Sequence, residues 1–133
     1  MDLAKKMISE AKLSGANAVK FQTFTAKKLA SNKTPKVDYQ KKLTSKRESH
    51  FEMLQRFELS KSDHFLLSDF CKKLKILFLS TPYDVESARF LHEEIDVRMF
   101  KIASADLVDL PLHEYIASTH KPAIISVGMG SME

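Results

Sequence analysis

The stretch Phe100–Asp106 combines an apolar strand with side chains that could bind an anion. Because side chains alternate along a strand, Lys101 should point away from the face that carries Phe100 and Ile102. A lysine inside a short apolar strand is unfavourable unless its ammonium group meets an anion or reaches water. The sequence therefore leaves two interpretations open: an anion-binding lysine, or a lysine whose long side chain extends from the strand end into solvent.

Polar side chains follow this strand and also lie at the ends of three other predicted strands. Ser104 and Asp106 come where the strand should end, which is where ligands bind in α/β proteins. Asp106 is the one carboxylate expected in a site, although a turn role before the next helix is the alternative. If the strands are parallel, their ends meet at one rim, where two lysines with several hydroxyls favour a small polyanion such as a phosphate or phospho-carboxylate. The other side chains expected there are Lys20, Gln22, Ser80, Thr81 and Ser126.

Apolar periodicity predicts four strands that alternate with helices, at residues 16–24, 76–81, 99–104 and 123–127. Helix starts are indicated at Ser49, Ser60, Asp84 and Asp109. This cadence is typical of parallel βα units, and residues 1–133 are expected to form one domain. Neither a dinucleotide fingerprint nor a P-loop is present. We therefore predict an α/β fold, a partial (β/α)8 TIM barrel of about four parallel strands, since a complete barrel needs about 250 residues. The first helix is expected to bury Leu3, Met7, Ile8 and Ala11.

Composition is that of an ordinary globular protein, with 44% hydrophobic and 29% charged residues. No apolar run is long enough to span a membrane, and the N-terminus lacks the apolar core of a secretion signal. The single cysteine, Cys71, cannot form an internal disulfide and is expected in the core. A reducing cytoplasm fits this cysteine usage best.

The net charge of +4 comes largely from residues 27–47, which are rich in lysine. A basic stretch is compatible with nucleic acid, but a binding platform would interleave aromatic side chains, and Tyr39 stands alone there. We therefore expect no nucleic-acid partner. The histidines lack metal-ligand spacing and are predicted to lie at the surface; they are His50, His64, His92, His113 and His120.

Four segments of the chain resemble the N-acetylneuraminate (sialic acid) synthase family, in the family's order and with about its spacing. They are residues 19–23 (VKFQT), 78–84 (FLSTPYD), 100–106 (FKIASAD) and 121–129 (KPAIISVGM). The resemblance implies a (β/α)8 barrel that condenses phosphoenolpyruvate with N-acetylmannosamine, or a related amino sugar. The products would be a nonulosonic acid and inorganic phosphate. It also implies a divalent cation, manganese or magnesium, which polarises the sugar aldehyde.

The resemblance also implies roles for individual residues. Asp106 stands where many members of the family have glutamate, and Val127 stands where threonine is common, which leaves the choice of sugar open. By motif position, the implied phosphoenolpyruvate contacts are Lys20, Thr81, Lys101, Ser104 and Ser126, and the implied sugar contacts are Gln22 and Asp106.

Part of the family's architecture is expected outside this sequence. Its first strand, with an acidic residue and an Asn-His motif, would precede Met1. Its later strands, which bring the metal-binding histidines, and its C-terminal antifreeze-like domain would follow Glu133. We therefore expect part of the phosphoenolpyruvate pocket, no metal ligands in this chain, an inactive isolated fragment, and a homodimer at full length. The alternatives are a non-catalytic half-barrel that serves binding or assembly, and the product of a truncated gene.

Overall fold

Helices separate the successive strands of the protein in a computed structural model, which describes residues 1–31 and 48–128. The predicted order of helices and strands is confirmed in these residues, apart from the short helix Ala26–Leu29, which was not predicted. None of their helices is long and apolar enough to cross a lipid bilayer. The elements are α1 (Asp2–Leu13), β1 (Ala18–Thr23), α2 (Ala26–Leu29), α3 (His50–Phe57), α4 (Lys61–Leu74), β2 (Leu77–Pro82), α5 (Val85–Glu93), β3 (Phe100–Ile102), a 3-10 turn (Ser104–Asp106), α6 (Leu110–Ser118) and β4 (Ala123–Ile125).

The strands pair in parallel, as the sequence predicts. β1 and β2 are aligned from Ala18 opposite Leu77 to Thr23 opposite Pro82. β3 and β4 form a second two-stranded sheet in which Lys101 lies opposite Ile124. β2 also lies beside β3. Since parallel strands with crossover helices define an α/β fold, that part of the predicted fold class is confirmed.

The helices begin where the capping signals predict. Ser49 accepts a hydrogen bond from the backbone N–H of Glu52 at 3.1 Å, and the Glu52 carboxylate accepts one from the Ser49 N–H at 2.7 Å. Ser60 forms the same reciprocal capping box at the start of α4. Asp84 and Asp109 cap α5 and α6 by accepting single backbone bonds. Each cap satisfies an N–H that the helix itself leaves unpaired.

The hydrophobic core lies between the helices and one face of the strands. Phe100 and Ile102 are fully buried there, which leaves the opposite face of β3 to Lys101. Cys71 is also buried in the core, as expected, and burial raises the pKa of its thiol to about 11. Other members of the core are Ile8, Leu67, Ile76, Phe78, Ala88, Leu91, Leu112 and Ile116.

Helix α1 buries a different stripe from the one predicted. Ile8 is buried, with Ala4 and Ala11 packed beside it, but Leu3 and Met7 are exposed. The prediction for Leu3 and Met7 is therefore wrong. The buried residues recur at i, i+4 and i+7, and the two alanines allow α1 to approach α4 closely.

Candidate functional site

Lys101 and Ser126 are joined at the ends of β3 and β4. The Lys101 ammonium donates to the Ser126 hydroxyl at 2.5 Å and to the Ile102 carbonyl at 2.7 Å. Ser126 is itself fixed, because its backbone N–H donates to the same Ile102 carbonyl at 3.1 Å. The half-buried lysine therefore folds back over the strand ends instead of extending into solvent. This geometry differs from a lysine that extends into solvent, and anion binding by Lys101 stays a prediction.

Lys20 on β1 adds a second positive charge to this face. Partial burial lowers the pKa of Lys20, and repulsion from the Lys101 ammonium lowers it further. Among the described residues, neither lysine has a carboxylate within 4.0 Å of its ammonium nitrogen. Lys20 has one weak contact, 3.5 Å to the Phe21 carbonyl. Two neighbouring ammonium groups without an acidic partner form an electropositive site suited to an anion.

Gln22 and Thr81 are neighbours in the paired strands. They lie opposite each other in the register of β1 and β2, so their side chains project from the same face as Lys20. Thr81 is buried and Gln22 is exposed. The Gln22 side-chain amide donates to the Tyr83 hydroxyl at 2.5 Å. A role for Tyr83 was not predictable from the sequence, because its contact depends on the register between two distant strands.

Ser104 and Asp106 lie on the 3-10 turn that follows β3. A side-chain carbon placed on Gly128 would lie 3.5 Å from the Ser104 hydroxyl oxygen, so the turn closely approaches the segment after β4. Burial raises the pKa of Asp106, and the Asp109 carboxylate adds to the increase. One Asp106 carboxylate oxygen is buried without a hydrogen-bond partner in the described residues. Ser104 thus lies close to the segment that follows β4, whereas the Asp106 carboxylate forms no hydrogen bond or ion pair with Lys20, Gln22 or Lys101 in the described residues.

Ser80 does not join the other polar residues at the strand ends. Its hydroxyl lies 2.7 Å from the Thr23 hydroxyl, which in turn lies 2.8 Å from His64 Nε2 on α4. Phe21 stacks on Phe78 along the same face, with ring centroids 5.6 Å apart. Ser80 therefore faces the helices, and its predicted place at the rim is wrong. Successive side chains of a strand point to opposite faces, so Ser80 and Thr81 cannot both face the site.

His64 is buried, with only 1% of its surface exposed, so its predicted surface location is wrong. Its Nδ1 lies 2.8 Å from the Ser60 carbonyl, which can only accept a hydrogen bond. Nδ1 therefore carries the proton, Nε2 accepts from Thr23, and Thr23 accepts from Ser80. Burial lowers the pKa of His64, which is consistent with this neutral form. The histidine occupies the same stripe as Leu67 and could have been recognised by that spacing.

The side chains described above do not form a set of ligands for a divalent cation. Within residues 1–31 and 48–128, no group of three or more histidine, cysteine, aspartate or glutamate side chains is placed to hold a metal ion. Asp106 brings one buried carboxylate oxygen, but Asp109 and His113 nearby do not complete a set of metal ligands with it. The described residues thus supply hydroxyls, an amide and ammonium groups suited to an anion.

Comparison with known proteins gives matches over nearly the whole chain. The model of the NeuB family matches residues 7–133. The N,N'-diacetyllegionaminic acid synthase of Campylobacter jejuni is 43% identical over 132 residues, which cover 99% of this chain and 39% of that enzyme. The enzyme of the same name from Legionella pneumophila is 41% identical over 133 residues, 100% of this chain and 37% of its own length. The chain therefore spans less than two fifths of either relative.

A solved structure shows the same similarity in three dimensions. It is the N-acetylneuraminic acid (sialic acid) synthetase from Leptospira borgpetersenii serovar Hardjo-bovis, in complex with citrate. The two chains are 31% identical and superpose with a TM-score of 0.76, over 98% of this chain and 41% of the synthetase. The α/β arrangement described above is therefore that of one part of a larger fold.

Proposed function

Because this chain belongs to the NeuB family, we propose that it carries part of the phosphoenolpyruvate pocket of a nonulosonic acid synthase. The complete enzyme would condense phosphoenolpyruvate with N-acetylmannosamine or a related amino sugar, consuming water and releasing inorganic phosphate. The observation that carries the proposal is the pair Lys20 and Lys101, two ammonium groups whose charges repel each other and which have no carboxylate partner in the described residues. Phosphoenolpyruvate carries two anionic groups, a phosphate and a carboxylate, which could pair with these two ammonium groups.

Each side chain in the pocket has a distinct role in this proposal. Lys101 and Lys20 neutralise the anionic groups, which strengthens hydrogen bonds to the same ligand because the acceptor is charged. Ser126, Ser104 and Thr81 donate hydroxyl hydrogen bonds and fix the orientation of the phosphate. The hydrogen bond between Lys101 and Ser126 holds these two side chains in place before the ligand binds, so less side-chain freedom is lost on binding.

The sugar is proposed to bind on the side of Gln22 and Asp106. Gln22 is exposed on the same face as Lys20, so it is available to a second substrate beside the first. Asp106 has a buried carboxylate oxygen without a protein partner among the described residues, which a sugar hydroxyl could satisfy. The divalent cation expected for the family enzyme, manganese or magnesium, is assigned no step, because the described residues offer no ligand set for it.

The four strands are proposed to be one section of a (β/α)8 barrel. Support comes from the parallel pairing, the position of β2 beside β3, and the superposition on part of the synthetase chain. In such a barrel the polar face of the strands lines the interior, and the carboxyl ends of the strands form the active site. A homodimer of the complete enzyme belongs to the same proposal.

A second candidate, an assembly module without catalysis, is favoured by the surface of β4. Ile124, Ile125 and Val127 are each about half exposed, at 49%, 47% and 55%. Within the described residues β4 pairs only with β3, and the free edge of a short apolar strand is a surface to which another strand can pair. Size-exclusion chromatography with light scattering separates the two candidates: a stable oligomer that binds no phosphoenolpyruvate supports the module, whereas phosphoenolpyruvate binding in any oligomeric state supports the synthase pocket.

The location of the bound ligand tests the proposed pocket. Titration of the ¹⁵N-labelled chain with phosphoenolpyruvate should shift the backbone amide signals of Ser104, Ser126 and Gly128. Signals of Lys72 and Arg98, which line a cavity of 670 Å³ near the other ends of the strands, should stay unchanged. Shifts confined to that second region would place the ligand elsewhere and contradict the proposal.

A further inference from the structure

Tyr83 is held rigidly at the end of β2. Its backbone N–H donates to the Thr23 carbonyl at 3.1 Å, which extends the pairing of β1 and β2 by one residue. Its ring meets the Phe24 ring edge-on, with centroids 6.0 Å apart and planes at 89°. Asp84 follows at once and caps α5. Backbone, ring and the next helix therefore fix the position of the phenol hydroxyl.

The hydroxyl of Tyr83 restrains a side chain that would otherwise be free to rotate. Gln22 is exposed and has three rotatable side-chain bonds, whose restriction on binding costs conformational entropy. Its Nε2 donates to Tyr83 Oη at 2.5 Å. The bond selects one conformation of Gln22 in the absence of any ligand.

The bond uses the nitrogen end of the amide and leaves its oxygen available to a ligand. A glutamine amide offers two N–H donors on nitrogen and an acceptor on oxygen. With one N–H of Nε2 donating to Tyr83 Oη, the oxygen is the acceptor that Gln22 presents to a ligand, beside its second N–H. A carbonyl oxygen accepts hydrogen bonds from hydroxyl groups and amide N–H groups, both of which an N-acetylated amino sugar carries.

We propose that Tyr83 is a positioning residue that turns the Gln22 amide oxygen toward the acetamido N–H or a hydroxyl of the sugar substrate. This inference rests on the proposed function, in which Gln22 lies on the sugar side of the pocket. Tyr83 thereby contributes to sugar selectivity through Gln22, while Lys20 and Lys101 hold the phosphoenolpyruvate. The two halves of the pocket are then separable by mutation.

The variant Tyr83→Phe keeps the ring contact with Phe24 and removes only the hydroxyl. The matched control is Tyr115→Phe on α6, since the Tyr115 hydroxyl is buried without a hydrogen-bond partner in the described residues. Three quantities are measured on the full chain: the Gln22 side-chain amide signals by NMR, the affinity for phosphoenolpyruvate, and the affinity for N-acetylmannosamine with phosphoenolpyruvate present. The last two are repeated in the Gln22→Ala background.

In Tyr83→Phe, the Gln22 amide signals should move and the affinity for N-acetylmannosamine should fall by about three- to tenfold, as expected for one lost hydrogen bond. Phosphoenolpyruvate affinity should change by less than about twofold, and Tyr115→Phe should match the unsubstituted chain. In the Gln22→Ala background, Tyr83→Phe should have no further effect on sugar affinity. Such coupling distinguishes positioning through Gln22 from a general loss of stability.

The possible failures are distinguishable. Unchanged sugar affinity in Tyr83→Phe, an equal loss in the Gln22→Ala background, or no sugar binding while phosphoenolpyruvate binds would each overturn the role of Tyr83 and leave the phosphoenolpyruvate pocket intact. Absence of phosphoenolpyruvate binding by the unsubstituted chain would overturn the proposed function, and the role of Tyr83 with it.

Discussion

The Lys101 ammonium on β3 donates a hydrogen bond of 2.5 Å to the hydroxyl of Ser126, one residue past the end of β4. The bond connects the two strands of one sheet on their polar face, while Phe100 and Ile102 occupy the core on the other face. Neither partner is acidic, so the bond orients the lysine without neutralising it. The positive charge remains available to a ligand.

Removal of the Ser126 hydroxyl should weaken phosphoenolpyruvate binding. In Ser126→Ala the Lys101 ammonium loses one of its two acceptors and the ligand loses one donor, so we expect a loss of about 1 kcal/mol, or roughly fivefold in affinity. Calorimetric titration measures it. Ser118→Ala, which removes an exposed hydroxyl at the end of α6, is the control. Equal affinities for the two variants would exclude Ser126 from the pocket.

Phosphoenolpyruvate affinity should fall at alkaline pH because of Lys20. Burial and the Lys101 charge lower the pKa of Lys20 in the free chain, whereas a bound anion would raise it. Binding therefore takes up a proton once the pH approaches the lowered pKa, and affinity declines as the pH rises through that value. Calorimetry in buffers of different ionisation enthalpy measures this uptake. Lys20→Met should abolish it, and an unchanged uptake in that variant would assign the proton to another group.

The faces of the strands were predictable from the sequence, whereas contacts between distant segments were not. Alternation places Lys101 opposite the core face, and capping signals locate Ser49 and Ser60 at helix starts, because both patterns are local. The Gln22–Tyr83 bond depends on the register between β1 and β2, which no local pattern specifies. The exposure of Leu3 and Met7 depends on how α1 packs against α4, since two overlapping apolar stripes were available on that helix.

The buried series of hydrogen bonds from Ser80 through Thr23 to His64 should make the free energy of unfolding depend on pH. Burial lowers the pKa of His64 in the folded chain below the ordinary value of about 6.5 that applies when the chain is unfolded. The contribution of His64 to the free energy of unfolding is therefore complete at pH values above 6.5 and declines as the pH falls below 6.5, because the unfolded chain then binds more protons than the folded chain. Urea unfolding between pH 8 and pH 5 should show this decline.

His64→Gln should reduce the pH dependence of stability and lower the free energy of unfolding by about 1–3 kcal/mol at neutral pH, because a buried hydrogen-bond partner is lost. His120→Gln replaces an exposed histidine and should retain the dependence of the unsubstituted chain. If the stability of His64→Gln depends on pH as strongly as that of the unsubstituted chain, His64 is not the group responsible.

Cys71 should be chemically unreactive in the folded chain. It is buried, and its thiol has a pKa of about 11, so the reactive thiolate is scarce near neutral pH. Alkylation by iodoacetamide at pH 8 should be at least about tenfold slower than in urea-unfolded chain. Similar rates in both states would show that the helix packing around Cys71 opens readily.

The most direct test of the proposed pocket is the affinity for phosphoenolpyruvate of the unsubstituted chain and of Lys101→Met, measured by calorimetry at neutral pH. The control is Lys6→Met, an exposed lysine on α1 with no role in the pocket. Loss of hydrogen bonds from a charged group should weaken binding to Lys101→Met by about 1.5–3 kcal/mol, while Lys6→Met keeps the original affinity. If Lys101→Met binds phosphoenolpyruvate as tightly as the unsubstituted chain, the pocket is not where we propose it.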